Sequence, residues 1–246
     1  MQELTLYHYS MMTLGGFILG LSKAGLKGLG IIVVTLLAIM FSAKESTGIL
    51  MPMLVSADIL AITFYRRSVQ WKALVKLLPW MIIGILIGVV VGDRISEDIF
   101  RTIMAYTILF SALMMIVWER MKEWNVPDGH LFSGAMGLGA GFTTMIGNLA
   151  GAFSNLYFLA MRFPKNAFIG TAAMLFFIVN LFKVPFHVFT WKTITLHSLT
   201  FSAIALPGIL LGFWIGLKVV KLFSTRQFHY YIIAVTIIGA IIMLAK

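Results

Sequence analysis

Cysteine is absent from the 246-residue chain, which excludes disulfides and thiolate metal sites. Charge is scarce as well. Only 11% of residues are Asp, Glu, Lys or Arg, against about 25% in soluble domains. Acidic residues are the rarer sign, nine against 19 basic ones. His8, His130, His197 and His229 are scattered near segment ends, and no pair has ligand spacing with a carboxylate partner, so neither a metal site nor a cofactor is expected. No cluster of acids, histidines and a nucleophile sits at a segment end, so an enzyme is not expected either. The opening MQELTLYHYS lacks the basic region of a signal peptide, and no small-residue cleavage site follows. The first apolar segment is therefore expected to be retained.

What is present is apolar residue in bulk. Hydrophobic residues make up 60% of the chain and the mean hydropathy is +0.97. The net charge of +10 does not point to nucleic acid, because the basic residues lie in short gaps between apolar runs, as in proteins that encode membrane orientation. Ten apolar segments can be drawn, at 5–22, 28–42, 46–65, 73–92, 98–118, 131–146, 149–161, 166–190, 195–219 and 227–245. Spanning takes about 20 helical residues, and the second, sixth and seventh fall short. Residues 131–161 carry no charge and would make a straight helix of about 46 Å, too long for one crossing. The glycines and small polar residues of GLGAGFTTMIGNLAGAFSN break it in the middle. The expected fold is all-α and polytopic, with lipid as the main solvent.

The chain also repeats. LPWMIIGILIGVVVGDRISEDIF (78–100) matches LPGILLGFWIGLKVVKLFSTRQF (206–228), with Pro79, Gly84, Gly88, Ser96 and Phe100 on Pro207, Gly212, Gly216, Ser224 and Phe228. Gly16, Gly20, Gly30 and Lys44 likewise fall on Gly137, Gly141, Gly151 and Lys165. The expected division is a first repeat over 1–118, a cytoplasmic linker over 119–130 and a second repeat over 131–246. If segments 1–2 and 6–7 are each a hairpin or two full spans, each half crosses an odd number of times and the repeats are inverted. One side then holds 13 of the 19 Lys and Arg residues, the bias the positive-inside rule requires. If each pair is one broken span, that bias vanishes. Odd parity places both termini outside.

Inverted repeats with broken helices are the architecture of secondary transporters, whose substrate sits near the midplane where the breaks meet. A freed helix N-terminus attracts anions. In the first break, GGFILGLSKAGLKGLGIIVV, Lys23 and Lys27 are candidate anion ligands, with snorkelling at a cytoplasmic turn as the alternative. Thr143, Thr144, Asn148, Ser154 and Asn155 are the neutral partners expected in the second break. Asp58, in MLVSADILAITF, is a carboxylate inside a span, a position costly enough to mark function. Its repeat mate is Asn180, which makes the pair a candidate proton-coupling position. The alternative for Asp58 is an interhelical hydrogen bond or an ion pair with Lys183 or Lys23. Lys183 and His187, one turn apart, are expected at the outer interface, with contact to an anion on the outer side as the alternative. Trp71, Trp118, Trp124 and Trp191 fit an aromatic belt. The GxxxG pairs Gly84/Gly88 and Gly212/Gly216 suit close packing between repeats or a homodimer.

A glycine-rich broken segment opening each half, PKNAFIGTAA after the second, and the P-x4-G-x3-G helix together resemble the sulfite exporter TauE/SafE family over essentially the whole chain. The resemblance implies a bacterial inner-membrane transporter of small sulfur-containing anions such as sulfite or organosulfonates. The remaining alternatives are an anion channel, an uptake permease for another small anion, and a non-transporting membrane scaffold.

Overall fold

The computed structural model describes residues 6–26, 28–103, 106–107, 110, 113, 129–227, 230–231 and 234. Its helices are α1 (Leu6–Lys23), α2 (Gly30–Met40), α3 (Ala43–Tyr65), α4 (Trp71–Arg94), α5 (His130–Gly147), α6 (Gly151–Ala160), α7 (Lys165–Pro185) and α8 (Leu196–Lys221). Residues 97–103 are also helical, and there is no strand among the described residues. A 3-10 turn, Arg66–Ser68, extends α3, and a π-helical turn, Phe186–Thr190, extends α7. Four of these, Ala43–Ser68, Trp71–Arg94, Lys165–Thr190 and Leu196–Lys221, are long and apolar enough to cross a membrane. The expected linker lies almost wholly outside the described residues, as do most of the last segment and Lys27.

Local chemistry sets the helix ends. Ser42 caps α3 by accepting the Glu45 N–H at 3.2 Å. Thr195 and Ser198 form a reciprocal capping box at the start of α8. These side chains satisfy donors that a helix start otherwise leaves unpaired. By contrast α2 and α6 start on Leu29 and Ala150, which offer no side-chain cap. With 11 and 10 residues, these two are only about 15–17 Å long.

Packing follows the repeat. The first helix of each half runs along the fourth helix of the other, α1 on α8 and α5 on α4. The repeated glycines are what let the backbones approach. A Cβ on Gly16 or Gly20 would strike the α8 carbonyls of Ala205 or Ile209. One on Gly137 or Gly141 would strike the α4 carbonyls of Leu77 or Met81. From the other side, Gly212 abuts Phe17 and Gly84 abuts Leu138. These GxxxG faces are thus packed inside the molecule, between its halves.

The direction of each pair can be read from its contacts. Thr13 meets Gly208 and Leu21 meets Gly216, so α1 and α8 run parallel. Leu77 meets Gly137 and Gly88 meets Met145, so α4 and α5 do too. The third helices of the two halves run antiparallel, with Tyr65 against Gly170 and Asp58 against Asn180. Within each half the short helix folds back on the long one. Gly15 of α1 faces Leu36 of α2, while Ser22 faces Gly30. Gly139 of α5 faces Phe153 of α6, while Ser133 reaches Tyr157.

Two tryptophans part company. Trp71 is exposed, as a belt residue should be. Trp191 is buried, donates its indole N–H to Val89 O at 3.1 Å and packs on Phe100. Its belt assignment is corrected: the π-helical turn at the end of α7 folds the following chain inward.

Candidate functional site

Both helix breaks lead to one place. Helix α1 ends in a Schellman motif: Leu26 N–H bonds Leu21 O at 3.1 Å and Gly25 N–H bonds Ser22 O at 3.2 Å. Gly25 takes φ +129°, in the region open mainly to glycine. Tyr65 pins this turn by donating its hydroxyl to Ala24 O at 2.6 Å. Helix α5 ends on Asn148 in the left-handed region, φ 57° and ψ 30°, with its N–H on Thr144 O. Asparagine tolerates that conformation better than most residues.

Across the molecule a chain of polar side chains joins the two breaks. Lys23, in the last turn of α1, donates to Asp58 Oδ1 at 2.5 Å. The Lys23 ammonium also lies 5.0 Å from the Phe176 ring centre. Asp58 Oδ2 accepts the Asn180 amide at 2.7 Å. Asn180 Oδ1 accepts Lys183 Nζ at 3.3 Å. Lys183 then reaches Thr144 O at 2.8 Å, Thr144 Oγ1 at 3.0 Å and Asn148 Oδ1 at 2.6 Å. Asn148 in turn donates to Thr47 O at 3.4 Å.

The electrostatics are uneven. Asp58 and Lys183 are both 0% exposed and Lys23 is 5% exposed. Two lysine side chains therefore stand beside one carboxylate in the interior. Geometry eases their burial. Both lysines lie at the C-terminal ends of α1 and α5, where helix dipoles present negative charge. The opposite ends, the starts of α2 and α6, border the same region without a side-chain cap, and at α2 the Ile31 and Ile32 N–H groups turn back onto Gly28 O and Leu29 O at 3.1 and 3.0 Å.

Between them lies a cavity of about 80 Å³. A single water needs roughly 10–15 Å³ by the same measure, so several waters or one small ion fit. Lys23, Gly28, Gly30 and Ile31 line it from the first break, and Asn148, Leu149, Ala150 and Gly151 from the second. Leu50 and Leu54 of α3 and Phe176 of α7 supply apolar walls. Asn155 also lines it, and its Oδ1 is buried with no hydrogen-bond partner. The side chain's amide end is therefore available to a guest, as donor or acceptor according to how it is turned.

The sequence candidates divide accordingly. Lys23, Thr144, Asn148, Asn155 and Asn180 are brought together on the cavity wall. Asp58 lies behind that wall, held by Lys23 and Asn180. Thr143 and Ser154 are buried but turn their hydroxyls onto their own helices, to Gly139 O and Ala150 O, both at 2.7 Å. Lys27 is outside the described residues.

Lys183 and His187 are corrected. Rather than facing an outer interface, both are 0% exposed. His187 Nδ1 sits 2.9 Å from Thr193 Oγ1, against the Trp191 ring. Three residues after Asn180, Lys183 shares a helical face with the mate of Asp58. Among the described residues no group of His, Asp and Glu side chains could hold a metal ion.

No curated protein and no solved structure matches the chain. A protein-family model does, that of "Sulfite exporter TauE/SafE", over residues 12–243. With nearly all of its length matched, the chain belongs to the sulfite exporter TauE/SafE family.

Proposed function

We infer that the protein is a secondary transporter that exports a small sulfur oxyanion, sulfite or an organosulfonate, by alternating access. The observation that carries this reading is the cavity itself. It lies between two helix starts without side-chain caps, beside Lys23 and an unpartnered Asn155 amide, in an interior that holds two lysines and one carboxylate. Backbone N–H groups, an ammonium and an amide are what an oxyanion needs in order to give up its water. The apolar walls formed by Leu50, Leu54 and Phe176 strengthen those contacts by excluding solvent.

The helix directions favour two inverted repeats. Parallel cross-packing of first and fourth helices suits either parity, but antiparallel third helices suit only inversion. The folded-back short helices α2 and α6 favour re-entrant hairpins. On this reading the cavity lies near the bilayer midplane. The 119–130 linker is cytoplasmic, both termini face outward, and the protein sits in a bacterial inner membrane. An inside-negative potential favours anion exit by about 2.3 kcal/mol per charge per 100 mV, so export needs no coupled ion in principle. Asp58 is the position at which a proton would enter. Its protonation would free Lys23 for the substrate.

The test is a ligand panel of sulfite, organosulfonates, thiosulfate and sulfate, read by thermal unfolding of the purified protein and by counter-flow in proteoliposomes. A substrate raises the unfolding temperature by mass action and shows counter-flow, and Lys23→Ala weakens both. If no oxyanion shifts unfolding, the anion reading fails. Flux without counter-flow would make the protein a channel.

A further inference from the structure

Lys183 is an unusual buried lysine. Its only carboxylate neighbour among the described residues, Asp58, is engaged by Lys23 and Asn180. The Lys183 ammonium is held by neutral oxygens: a main-chain carbonyl, a hydroxyl and two side-chain amides, at 2.6–3.3 Å. An ammonium has three N–H donors, and these four acceptors exceed them. Desolvating a charge costs several kcal/mol per ion unless geometry offsets it. The offset here is the C-terminal end of α5, whose Thr144 carbonyl carries part of the helix dipole's negative charge.

That oxygen set has a familiar chemistry. In transporters with broken helices, freed carbonyls and half-helix C-terminal ends coordinate the coupling cation. Here such a set converges on a cation that is covalently part of the chain. We propose that Lys183 is a tethered cation filling a monovalent-cation site, so that the second break is held closed without a dissolved ion and the protein works independently of Na⁺. The distances suit an ammonium-sized ion.

The sequence shows how the two halves differ. The position in α3 equivalent to Lys183, at the Asp58-to-Asn180 spacing, is Ala61, which is buried and apolar. The first half instead places its cation, Lys23, on the break itself. Each half thus has one lysine at the negative end of its long hairpin helix, supplied from opposite sides of the contact. Lys183 links the second break to α3 through Asn180 and Asp58, so it is a positioning residue for the cavity wall formed by Asn148. The inference rests on reading the two breaks as a transport site, but its test needs no transported anion.

The test removes the tether and offers a free ion. Lys183→Ala is purified as the full chain, and its thermal unfolding is followed in ethylammonium chloride, NaCl and choline chloride at equal ionic strength. The expected result is a lowered unfolding temperature, largely recovered by ethylammonium and untouched by bulky choline. Lys183→Met, which fills the space without charge, should not respond to ethylammonium. Absence of recovery in Lys183→Ala with any small monovalent cation would overturn the proposal. The wild-type protein supplies a second arm if Lys183→Ala does not fold. Its unfolding temperature should be the same in NaCl and choline chloride, and a saturable rise specific to Na⁺ would equally overturn the idea. Failure here leaves the oxyanion panel unaffected, and failure of the panel leaves these stability readings intact.

Discussion

Asn180 donates its side-chain amide to Asp58 Oδ2 at 2.7 Å, so the two residues that correspond between the repeats touch each other. They meet where α3 and α7 cross in opposite directions. In inverted repeats, a residue in contact with its own mate would lie next to the axis that relates the halves. The two mates differ in chemistry, carboxylate against amide. Two carboxylates in contact would repel. Two amides would leave Lys23 unpaired.

The first prediction concerns that pair. Asp58→Asn keeps the shape of the side chain but leaves the Lys23 ammonium buried without its counter-charge. Breaking a buried pair from one side costs about 3–5 kcal/mol. The expected outcome is a large fall in thermal stability. The double variant Lys23→Met with Asp58→Asn should recover much of it, because the stranded charge is gone. A cycle of unfolding temperatures measures the coupling. Additive single effects would mean that the contact carries no stability.

The second prediction concerns the shared glycines. Gly141 packs against Met81 of α4 so closely that a Cβ would overlap the carbonyl group. Overpacking of this kind costs about 1–3 kcal/mol or more. Gly141→Ala and its repeat mate Gly20→Ala should both lower the unfolding temperature. Gly129→Ala should not, since the nearest atom to its added Cβ is 3.9 Å away. Equal behaviour of all three would deny the glycines their role in helix approach.

Most helix positions could be read directly from apolar run lengths, because the hydrophobic requirement of a span acts residue by residue. The segments drawn at 46–65 and 73–92 fall within the observed α3 and α4, and 195–219 matches α8 apart from its cap residue Thr195. The breaks that hold Lys23, Asn148 and Asn155 were legible for a related reason: glycines and small polar residues interrupt the apolar runs there. Lys183 was not. Near the end of a long apolar run, a lysine that snorkels to water and one that turns inward give the same local pattern. Which occurs depends on a partner 39 residues away, Thr144. Trp191 was hidden likewise, since the π-helical turn that folds it inward leaves no mark in hydropathy.

The third prediction separates ligand contact from structural support. Asn155 Oδ1 makes no hydrogen bond in the protein, so removing its polarity deprives no partner. Replacing an unsatisfied buried polar group with an apolar one of similar shape is close to neutral for stability. Asn155→Leu should therefore fold with little change in unfolding temperature. It should nevertheless lose the stabilisation that a bound oxyanion gives the wild type. Thr143→Val is the comparison, because its hydroxyl bonds within its own helix and its loss should leave ligand stabilisation intact. If Asn155→Leu responds to the oxyanion as the wild type does, the residue does not touch the guest.

The fourth prediction tests inversion and uses the lack of cysteine, which makes any introduced thiol unique. Glu45 and Asn166 correspond between the repeats at the Lys44-to-Lys165 spacing, and both are exposed. Each follows the start of the third helix of its half, and those helices run antiparallel. In inverted repeats the two positions lie on opposite faces of the membrane, and in parallel repeats on the same face. Glu45→Cys in intact bacterial cells with the outer membrane permeabilised should react with an impermeant maleimide added from outside. Asn166→Cys should react only after the inner membrane is opened. Arg67→Cys, at the far end of α3 from Glu45, should behave as Asn166→Cys does. Labelling of both mates from one side would remove inversion. Because α3 and α7 would then have to run in the same direction, it would also contradict the antiparallel crossing on which the contact between Asp58 and Asn180 depends.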